Sequence, residues 1–394
     1  MRSGRIRILE LIYGFGLEDY GGGAERFALA LAQALDPGQF DVIIGGLWSL
    51  GTSYEKTRIE RLRAGGYTTL TLTQWNPRRP ILSLWRALKG LRAYLQSQDI
   101  HILHSHSQFA DIVTSLCKVD DRGLKIVRTL HDGHATEWRT KPIRRALLSN
   151  LLYPLVYDAE IGVSQPIERR LTQRWMARQL GRAAIHMPNA IDLARLQRVK
   201  TDPLDVRRMI GLPEGAFVVG TVGRLTVEKG YDVLLRAATV VMHQLPNTHF
   251  VFVGGGRLAQ ALEGLAQDLG IQAQVHFMGP RSDVEELLRC FDLFVSSSRW
   301  EGLSTSILES MASRVPVLAT AVGGSVDLIQ DGYNGWLVRP EDSTALAEAM
   351  VRAARHPVLR KEVATRALTT ARRFSIENVV NQHAQLYSSL VRIP

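Results

Sequence analysis

The sequence predicts an α/β protein that folds into two doubly wound parallel sheets. Short β-branched or apolar runs alternate along the whole chain with longer amphipathic stretches, as in parallel sheets that carry helices on both faces. The chain has 394 residues, which is enough for two or three domains. Hydrophobic residues make up 45% and charged residues 22%, a composition that excludes a disordered or fibrous chain.

The predicted strands fall into two groups. Seven lie in the first half, at residues 6–13, 40–47, 68–72, 100–105, 125–130, 160–163 and 184–187. Six lie in the second half, at residues 217–222, 249–253, 275–278, 293–296, 317–319 and 335–338. Helices are predicted between most strands, for example at residues 24–35, 81–96, 231–244 and 344–354. Thirteen strands are too many for one comfortable open sheet, which favours two domains of similar size.

The domain boundary is predicted near residues 187–203. Two proline dipeptides, at 188–189 and 202–203, and a charged stretch interrupt the alternation of strands and helices there. Ligands of doubly wound sheets bind beyond the carboxyl ends of the strands. Two such sheets facing each other would form an interdomain cleft, so functional residues are expected in the loops that follow strands.

The charge balance favours an anionic partner. The chain has 48 Lys+Arg and 38 Asp+Glu residues, a formal net charge of +10, which suits nucleotides, phosphorylated lipids, acidic membranes or nucleic acid. Its two cysteines, Cys117 and Cys290, form neither a CxxC pair nor a zinc cluster and suit a reducing compartment. No apolar run reaches the about 18 residues of a membrane span, and the basic N-terminus is a poor signal peptide. A cytoplasmic location is therefore expected.

A glycine-rich segment, residues 20–26 (YGGGAER), lies between the first predicted strand and the first predicted helix. Glycines such as Gly22 and Gly23 let the backbone approach a phosphate or a sugar closely, and a helix N-terminus favours anions. The alternative is a flexible loop with a glycine-rich helix start. The pattern alone leans only slightly towards the ligand.

Residues 222–230 (VGRLTVEKG) also follow a predicted strand and precede a predicted helix. Arg224 and Lys229 are therefore expected at the carboxyl end of that strand. Two cations beside a helix N-terminus suit a diphosphate, because arginine offers a planar fork of donors and lysine a point charge. The alternative is a solvated, capped helix start.

A third segment, residues 298–310 (SRWEGLSTSILES), follows another predicted strand. A helix is predicted to begin near Ser304, which leaves the amides of Gly302, Leu303 and Ser304 free to bind an anion or a hydroxyl. The alternative is that the hydroxyls of Ser304, Thr305 and its neighbour simply cap the helix.

Two carboxylates flank this helix start. Glu301 precedes the helix and Glu309 lies one to two turns inside it. Carboxylates suit sugars, because each oxygen accepts a hydrogen bond from one hydroxyl of a diol. Taken singly, Glu301 is an ordinary first-turn acid and Glu309 an exposed helix carboxylate.

Together these motifs resemble the retaining glycosyltransferases of family 4, group 1 type. The resemblance rests on the Glu-x7-Glu pair Glu301/Glu309, on the Gly-Arg-x4-Lys-Gly segment and on the glycine-rich first loop. Further landmarks stand in the same order: 129–132 (TLHD), 162–164 (GVS), 188–192 (PNAID), 253–256 (VGGG), 277–279 (FMG) and 321–324 (AVGG). The resemblance covers nearly the whole chain and is most specific in the second half.

The resemblance implies a GT-B fold of two Rossmann-like domains. Residues 1–192 would form the acceptor-side domain, residues 193–373 the nucleotide-sugar-binding domain, and residues 374–394 a helix that crosses back to the first domain. The co-substrate would be a UDP- or GDP-linked sugar, with no cofactor and no metal ion. Two departures stand out: Ala190 replaces the usual glycine of an Asn-Gly-Ile-Asp motif, and Leu303 replaces a usual aromatic residue.

The resemblance also assigns roles to the motif residues. Arg224 and Lys229 would hold the diphosphate, and Glu301 would hydrogen-bond the hydroxyls of the transferred sugar. Glu309 would hold the ribose hydroxyls. The other predicted donor contacts are Gly22 and Gly23, Gly302, Leu303, Ser304 and Thr305 at the helix start, and Pro280 and Arg281 at the base pocket.

His131 follows the predicted strand 125–130, and similar family members have a histidine here near the transferred sugar. Its ordinary pKa lies near neutrality, so it can polarise a hydroxyl or a phosphate oxygen. The alternative is a structural histidine at a strand end. We predict that His131 is catalytic, together with Glu301, Arg224 and Lys229.

Three further histidines, His101, His104 and His106, have a spacing that invites a metal interpretation. No set of carboxylates or cysteines accompanies them in the sequence. Packing at the end of a strand, or contact with the acceptor, is favoured instead, and no metal site is predicted.

The predicted reaction is transfer of a hexose-type sugar from a UDP- or GDP-sugar to a glycan or lipid-linked acceptor, in cell-surface polysaccharide or glycolipid synthesis. Arg224, Lys229 and helix N-termini would stabilise the departing diphosphate without a metal. No carboxylate stands as a nucleophile like those of retaining glycosidases, and the resemblance implies attack on the same face of the sugar. The alternative is a GT-B enzyme that does not transfer, such as a sugar-nucleotide epimerase. Nucleic acid is not an expected partner, because no binding motif is visible.

An anionic membrane surface is a further candidate partner. Residues 135–182 hold nine Lys/Arg and four Asp/Glu residues, interleaved with apolar ones. A basic amphipathic helix here would rest on the inner face of the cytoplasmic membrane. The alternative, slightly favoured, is a surface helix with one face in the core.

Overall fold

The structure is a computed structural model that describes residues 4–16, 22–118, 123–131 and 147–391. The chain divides into two compact units. The first consists of Met1–Asn189 and Ile376–Pro394, and the second of Ala190–Ser375. Each unit contains one parallel sheet, so the predicted fold class is confirmed.

Seven parallel strands form the sheet of the first unit: β1 (Ile6–Gly14), β2 (Phe40–Ser49), β3 (Thr68–Gln74), β4 (Ile102–Ser105), β5 (Lys125–Leu130), β6 (Ala159–Gly162) and β7 (Ile185–His186). Their spatial order is β3-β2-β1-β4-β5-β6-β7. The helices between them are α1 (Gly23–Ala34), α2 (Ser53–Ala64), α3 (Pro80–Ser97), α4 (Gln108–Cys117), α5 (Tyr153–Val156), α6 (Gln165–Thr172) and α7 (Trp175–Gln179). The order of the strands reverses between β1 and β4, which makes this a doubly wound sheet.

Six parallel strands form the sheet of the second unit: β8 (Phe217–Val222), β9 (Thr248–Val253), β10 (Val275–Phe277), β11 (Leu293–Ser296), β12 (Val317–Thr320) and β13 (Trp336–Val338). Their order is β10-β9-β8-β11-β12-β13. The helices are α8 (Leu193–Gln197), α9 (Pro203–Met209), α10 (Tyr231–Gln244), α11 (Ala259–Asp268), α12 (Val284–Arg289), α13 (Thr305–Ala312), α14 (Ser325–Leu328), α15 (Ser343–Arg355) and α16 (Pro357–Ala371).

Side-chain caps fix several helix starts. Thr52, Ser107, Ser304 and Asp342 precede α2, α4, α13 and α15, and each side-chain oxygen accepts a hydrogen bond from a backbone amide in the first turn. Such caps satisfy amides that have no partner within the helix. Among these caps, that of Ser304 fixes the start of α13 directly after the loop in which ligand contacts are predicted.

The chain passes from one unit to the other beside Asn189. The amide of Ile191 donates to the carbonyl oxygen of Phe374 at 3.0 Å, and Ile191 also pairs with Ser375 in a parallel bridge. The second unit thus begins at Ala190, rather than at residue 193 as predicted from the sequence. The last helix, α17 (Ile376–Leu390), belongs to the first unit.

The segment predicted to rest on a membrane is described only in part. Residues 132–146, with Trp138, Arg139 and Lys141, lie outside the described residues. Leu148 and Leu152, which form a π-helical turn before α5, pack against the core of the first unit. Among the helices of the described residues, none is long and apolar enough to cross a bilayer.

Candidate functional site

The loop between β8 and α10 carries Arg224 and Lys229 and lies against the loop that follows β11. Gly230, at the end of the first loop, has φ +60°, and a Cβ atom there would lie 2.2 Å from the carbonyl oxygen of Ser297. The Ser297 hydroxyl donates to the carbonyl oxygen of Lys229 at 2.9 Å. Glycine is therefore required at position 230, both for its backbone conformation and for the close approach of the two loops.

This contact joins two residues that the sequence predicts as separate ligand contacts. Lys229 Nζ lies 2.5 Å from Glu301 Oε2, and both side chains are largely buried. The Ser298 hydroxyl donates to the same carboxylate oxygen at 3.2 Å. Within the described residues, Glu301 Oε1 has no hydrogen-bond partner. The pair thus offers one free carboxylate oxygen and the remaining ammonium protons to a ligand.

Arg224 is more exposed than Lys229. Its guanidinium lies 3.3 Å from Glu228 Oε1, and its side chain is 54% exposed. Burial would raise the pKa of Glu228, but hydrogen bonds with Thr226 and its own backbone, and the charges of Arg224 and Lys229, together lower it. An exposed pair of this kind contributes little to stability, so Arg224 can turn to an anionic ligand at small cost.

Two glycines after β12 pack closely against the backbone of the residues that precede α13. Gly323 has φ +46°, and a Cβ atom there would lie 1.7 Å from the carbonyl oxygen of Glu301. The amide of Gly324 donates to the carbonyl oxygen of Gly302 at 2.7 Å. The Ser304 hydroxyl accepts a hydrogen bond from the amide of Ile307 and so caps the helix at the predicted site. The glycine pair was noted in the sequence as a landmark but not as a positioning element.

Leu303 and Thr305 flank the cap. The Leu303 side chain is buried, and a Cβ atom at Gly324 would lie 2.6 Å from its Cδ1 atom. Only the backbone of Leu303 is therefore suited to the predicted donor contact. Thr305 is the first residue of α13 and is half-buried.

Arg299 is a site residue that the sequence analysis did not identify. Its guanidinium donates to both carboxylate oxygens of Asp232, at 2.8 and 2.7 Å, and to the carbonyl oxygen of Val227 at 2.9 Å. It also forms an ion pair with Glu341. These bonds clamp the loop of Glu301 onto the loop of Lys229. The only signal in the sequence was the position of Arg299 two residues before Glu301.

The remaining predicted donor contacts of the second unit are spread over two elements. Glu309 is half-buried on α13. Arg281 donates to both carboxylate oxygens of Asp283, at 2.8 and 2.6 Å. Pro280 packs beside Gly255, where a Cβ atom would lie 2.9 Å from the proline Cγ. Arg281 is thus engaged within its own loop, and its place in a base pocket stays a prediction.

His131 directly follows β5 in the first unit. Its Nδ1 lies 3.0 Å from Asn189 Oδ1 and its Nε2 lies 3.2 Å from His106 Nδ1. The ring also meets Phe27 edge-on. Burial, and then the charge of His106, hold the pKa of His131 well below its usual range. The ring is therefore neutral at neutral pH, and both of its nitrogens already have partners.

A buried network lies behind His131. His106 Nε2 lies 2.6 Å from Glu10 Oε2, and the Tyr387 hydroxyl donates to Glu10 Oε1 at 2.9 Å. His104 connects the Tyr387 hydroxyl, 2.7 Å from its Nδ1, with the Thr129 hydroxyl, 2.8 Å from its Nε2. Burial would raise the pKa of Glu10, but the charges and hydrogen bonds of His104 and His106 outweigh it and hold the pKa well below its usual range.

Glu10, His104 and His106 form a group of three side chains with metal-ligating atoms. The distance of 2.6 Å between Glu10 and His106 is that of a direct hydrogen bond, too short for two ligands with a cation between them. His101 lies apart, because its Nδ1 accepts a hydrogen bond from the amide of Arg7 at 2.9 Å. The group is best explained as a hydrogen-bonded network. Glu10 had no signal in the sequence, because it stands within an apolar strand.

Gly22 and Gly23 open helix α1. The amide of Gly22 donates to Glu25 Oε2 at 2.7 Å, which closes the first turn. A phosphate at this helix start would have to compete with Glu25 for that amide. The preceding part of the predicted glycine-rich loop, residues 17–21, lies outside the described residues.

Comparison with known proteins identifies the family. The model of the glycosyl transferases group 1 matches residues 205–369, and that of glycosyltransferase family 4 matches residues 21–195. A D-inositol 3-phosphate glycosyltransferase of Actinosynnema mirum is 34% identical over 309 residues, which cover 72% of this chain and 72% of that protein. The chain therefore belongs to the family 4 glycosyltransferases of group 1 type, and it is an enzyme of that class.

Two further comparisons concern a pathway and the fold. The lipopolysaccharide core biosynthesis glycosyltransferase LpsE of Rhizobium meliloti is 33% identical over 184 residues, which cover 46% of this chain and 53% of that protein. The crystal structure of Anabaena HepE in complex with UDP and glucose is similar with a TM-score of 0.81 at 22% identity, over 98% of this chain and 100% of that one. The architecture is thus that of the GT-B glycosyltransferases.

Proposed function

We propose that this enzyme transfers a hexose-type sugar from a UDP- or GDP-sugar to a glycan or lipid-linked acceptor. The observation that carries the proposal is the Lys229–Glu301 pair, which joins two loops at the carboxyl ends of β8 and β11. Binding at this edge is the rule for doubly wound sheets. The relation to LpsE supports a role in cell-surface polysaccharide or glycolipid synthesis, and the complex of HepE with UDP and glucose supports a uridine nucleotide as donor.

The two members of the pair would meet opposite ends of the scissile bond. An ammonium group has three donors, and Glu301 uses one of those on Lys229. The others are available to the diphosphate, on which negative charge builds as the glycosyl–oxygen bond breaks. Arg224 would add a second cation, and the amides of Gly302 and Ser304 a third source of positive potential. Glu301 Oε1 would accept a hydrogen bond from a hydroxyl of the transferred sugar.

We propose that transfer proceeds with retention and without a metal ion. Glu301 is paired with Lys229, which makes it a poor nucleophile towards the anomeric carbon. The acceptor oxygen would bond to that carbon on the face from which the diphosphate leaves. The bonding electrons pass to the leaving phosphate oxygen, and that oxygen takes the acceptor proton. Lys229 and Arg224 would supply the positive charge for which a metal ion serves elsewhere.

The test uses a panel of UDP-, GDP- and ADP-sugars with EDTA present. Thermal stabilisation by one nucleotide class, with slow release of that nucleotide, supports a metal-independent transferase and names its donor. Lys229→Ala is expected to lower kcat/KM for that donor by about 100-fold or more, whereas Lys361→Ala, at an exposed position on α16, leaves it unchanged. Equal activity of both variants would contradict the assignment. Conversion of the donor to an epimer, without transfer, would favour the alternative function.

The acceptor side would lie in the first unit, with His131 near the transferred sugar. Because both ring nitrogens have partners, His131 would contact the donor only by exchanging Asn189 or His106 for a sugar hydroxyl. We propose a cytoplasmic enzyme that meets its acceptor at an anionic membrane surface. The net charge of +10 supports that partner.

A further inference from the structure

Helix α3 of the first unit has two apolar faces, and only one of them is packed. Ser83, Ala87 and Leu91 are buried along the inner face. On the outer face, Ile81 is 83% exposed and Trp85 is 56% exposed. An amphipathic helix on a globular protein normally presents polar residues to water, so the two large side chains require a separate explanation.

The surroundings of these two side chains are strongly basic. No acidic residue occurs in the sequence between Glu60 and Asp99. The same stretch contains the cations Arg61, Arg63, Arg78, Arg79, Arg86, Lys89 and Arg92. A stretch of this length with only positive charges attracts negatively charged partners.

Four of these cations lie on the outer side of the helix start. Arg78, Arg79, Arg86 and Lys89 are exposed, and within the described residues no acidic side chain pairs with any of them. Lys89 Nζ lies 5.5 Å from the ring centroid of Trp85. Ile81, Trp85 and Lys89 are four residues apart along the helix, so they form a single ridge.

We propose that this ridge, with the flanking arginines, docks on an anionic lipid bilayer; we call it the α3 face. It consists of Ile81 and Trp85 with the cations Arg78, Arg79, Arg86 and Lys89. Tryptophan suits the boundary between headgroups and acyl chains, and lysine and arginine suit anionic headgroups. The inference deepens the proposed function, because it assigns the membrane contact to a particular surface. It rests on the proposed function in one respect, namely that docking would bring the enzyme to a lipid-linked acceptor.

The charge pattern favours lipid over a protein partner. The buried centres of protein interfaces are depleted in charged residues, and charges at such interfaces face complementary charges on the partner. The α3 face instead places two exposed apolar side chains beside four cations that form no ion pair with an acidic side chain in the described part of the chain. In the described part of the segment predicted from the sequence, residues 147–182, Leu148 and Leu152 pack against the core, whereas other apolar side chains, among them Trp175, are exposed. This part is therefore the competing surface that the test separates from the α3 face.

The test measures binding of the full chain to vesicles by co-sedimentation. Vesicles of phosphatidylcholine with phosphatidylglycerol are compared with vesicles of phosphatidylcholine alone. Wild-type protein is expected to bind the anionic vesicles and to lose binding as salt rises. The double variant I81S/W85S is expected to lower the partition coefficient by about tenfold or more. The charge variant R79E/K89E is expected to lower it by a similar factor.

The matched control is Trp175→Ser on α7. Trp175 is 61% exposed, so it resembles Trp85 in exposure, but it lies in the segment 135–182. It is expected to bind vesicles as the wild type does. Unchanged binding of I81S/W85S, or loss of binding in W175S alone, would overturn the proposal. Absence of wild-type binding to anionic vesicles would also overturn it and would leave a protein as the partner of this surface.

The same variants separate this inference from the proposed function. Release of nucleotide from the donor is measured in solution, without vesicles. The α3 face contains none of the proposed donor contacts, so I81S/W85S is expected to keep wild-type rates there. Vesicle binding without release of nucleotide from any donor would refute the proposed use of a UDP- or GDP-sugar and leave the docking surface standing.

Discussion

Lys229 and Glu301 neutralise each other, so a change in one residue alters the charge that the other presents. Glu301→Gln keeps the shape of the side chain but leaves the largely buried Lys229 without its counter-charge. We expect kcat/KM for the donor to fall by about 100-fold, because the ammonium group loses its fixed position and the sugar loses a charged acceptor. Steady-state release of nucleotide is the measurement. Glu263→Gln, on the exposed side of α11, is the control and should behave as wild type.

Combining this change with Lys229→Ala tests whether the two residues act as a unit. Residues in direct contact show coupling of about 0.5–3 kcal/mol in double-mutant cycles. The double variant is therefore expected to lose less activity than the product of the two single losses. Strictly multiplicative effects would mean that Lys229 and Glu301 act on the donor independently.

The buried histidines of the first unit make its stability dependent on pH. Burial lowers the pKa of His106 and of His383 to about 4, from an ordinary 6.5. Below pH 6.5 these two histidines bind protons in the unfolded chain but stay neutral in the folded one. The free energy of unfolding therefore falls as the pH falls towards 4. We expect a lower melting temperature at pH 5 than at pH 7, measured by circular dichroism. His383→Leu should show a shallower dependence, and His243→Leu, at an exposed position, an unchanged one.

Several site residues could be predicted from the sequence alone, whereas the contacts between them could not. Arg224, Lys229, Glu301 and Glu309 were predicted because each stands at a strand end or a helix start with suitable chemistry. The contact between Lys229 and Glu301 was not, because it depends on β8 and β11 being neighbours in the sheet. Arg299 was missed for the same reason, since its partners come from loops distant in sequence.

At the scale of elements, two loops are held together by a glycine. Gly230→Ala would bring a Cβ atom within 2.2 Å of the Ser297 carbonyl oxygen and force a left-handed conformation on alanine. We expect a loss of at least about 2 kcal/mol in the free energy of unfolding, with a larger effect on donor binding than on overall structure. Chemical denaturation and thermal shift with the bound nucleotide provide the two measurements.

Gly264 on α11 provides the matched control for this prediction. Its Cβ position is open, and the residue lies inside a regular helix. Gly264→Ala is expected to raise stability by about 0.5–1 kcal/mol, because alanine favours the helix. If both variants were destabilised equally, the effect at Gly230 would not come from the contact with Ser297.

The sheets were predictable at this scale because their central strands are largely buried on both faces. β8 and β9 are almost continuously apolar runs, and β1 departs from such a run only at Arg7 and Glu10; runs of this kind mark central parallel strands. Each of the thirteen predicted strands overlaps one in the described part of the chain. The exposed ridge on α3 was not predicted, because the sequence 80–97 shows an apolar inner face and basic residues but not which apolar side chains remain outside.

At the scale of the whole molecule, the chain returns at its end to complete its first unit. Helix α17 carries Tyr387 and His383, which are buried beside Glu10 of the first strand. The hydroxyl of Tyr387 serves two buried groups, since it donates to Glu10 Oε1 and lies 2.7 Å from His104 Nδ1. We therefore expect the first sheet and the last helix to unfold together.

Tyr387→Phe tests this coupling with the loss of a single oxygen atom. Removal of the hydroxyl leaves a buried carboxylate oxygen without its donor, which is expected to cost about 1–3 kcal/mol. Hydrogen exchange should show reduced protection in β1, β4 and β5, while β8, β11 and β12 keep theirs, because the second unit has its own core. Tyr333→Phe, at an exposed position in the second unit, should leave both sheets unchanged. Equal loss of protection in both sheets would show that the two units unfold as one, and that the last helix does not stabilise the first unit alone.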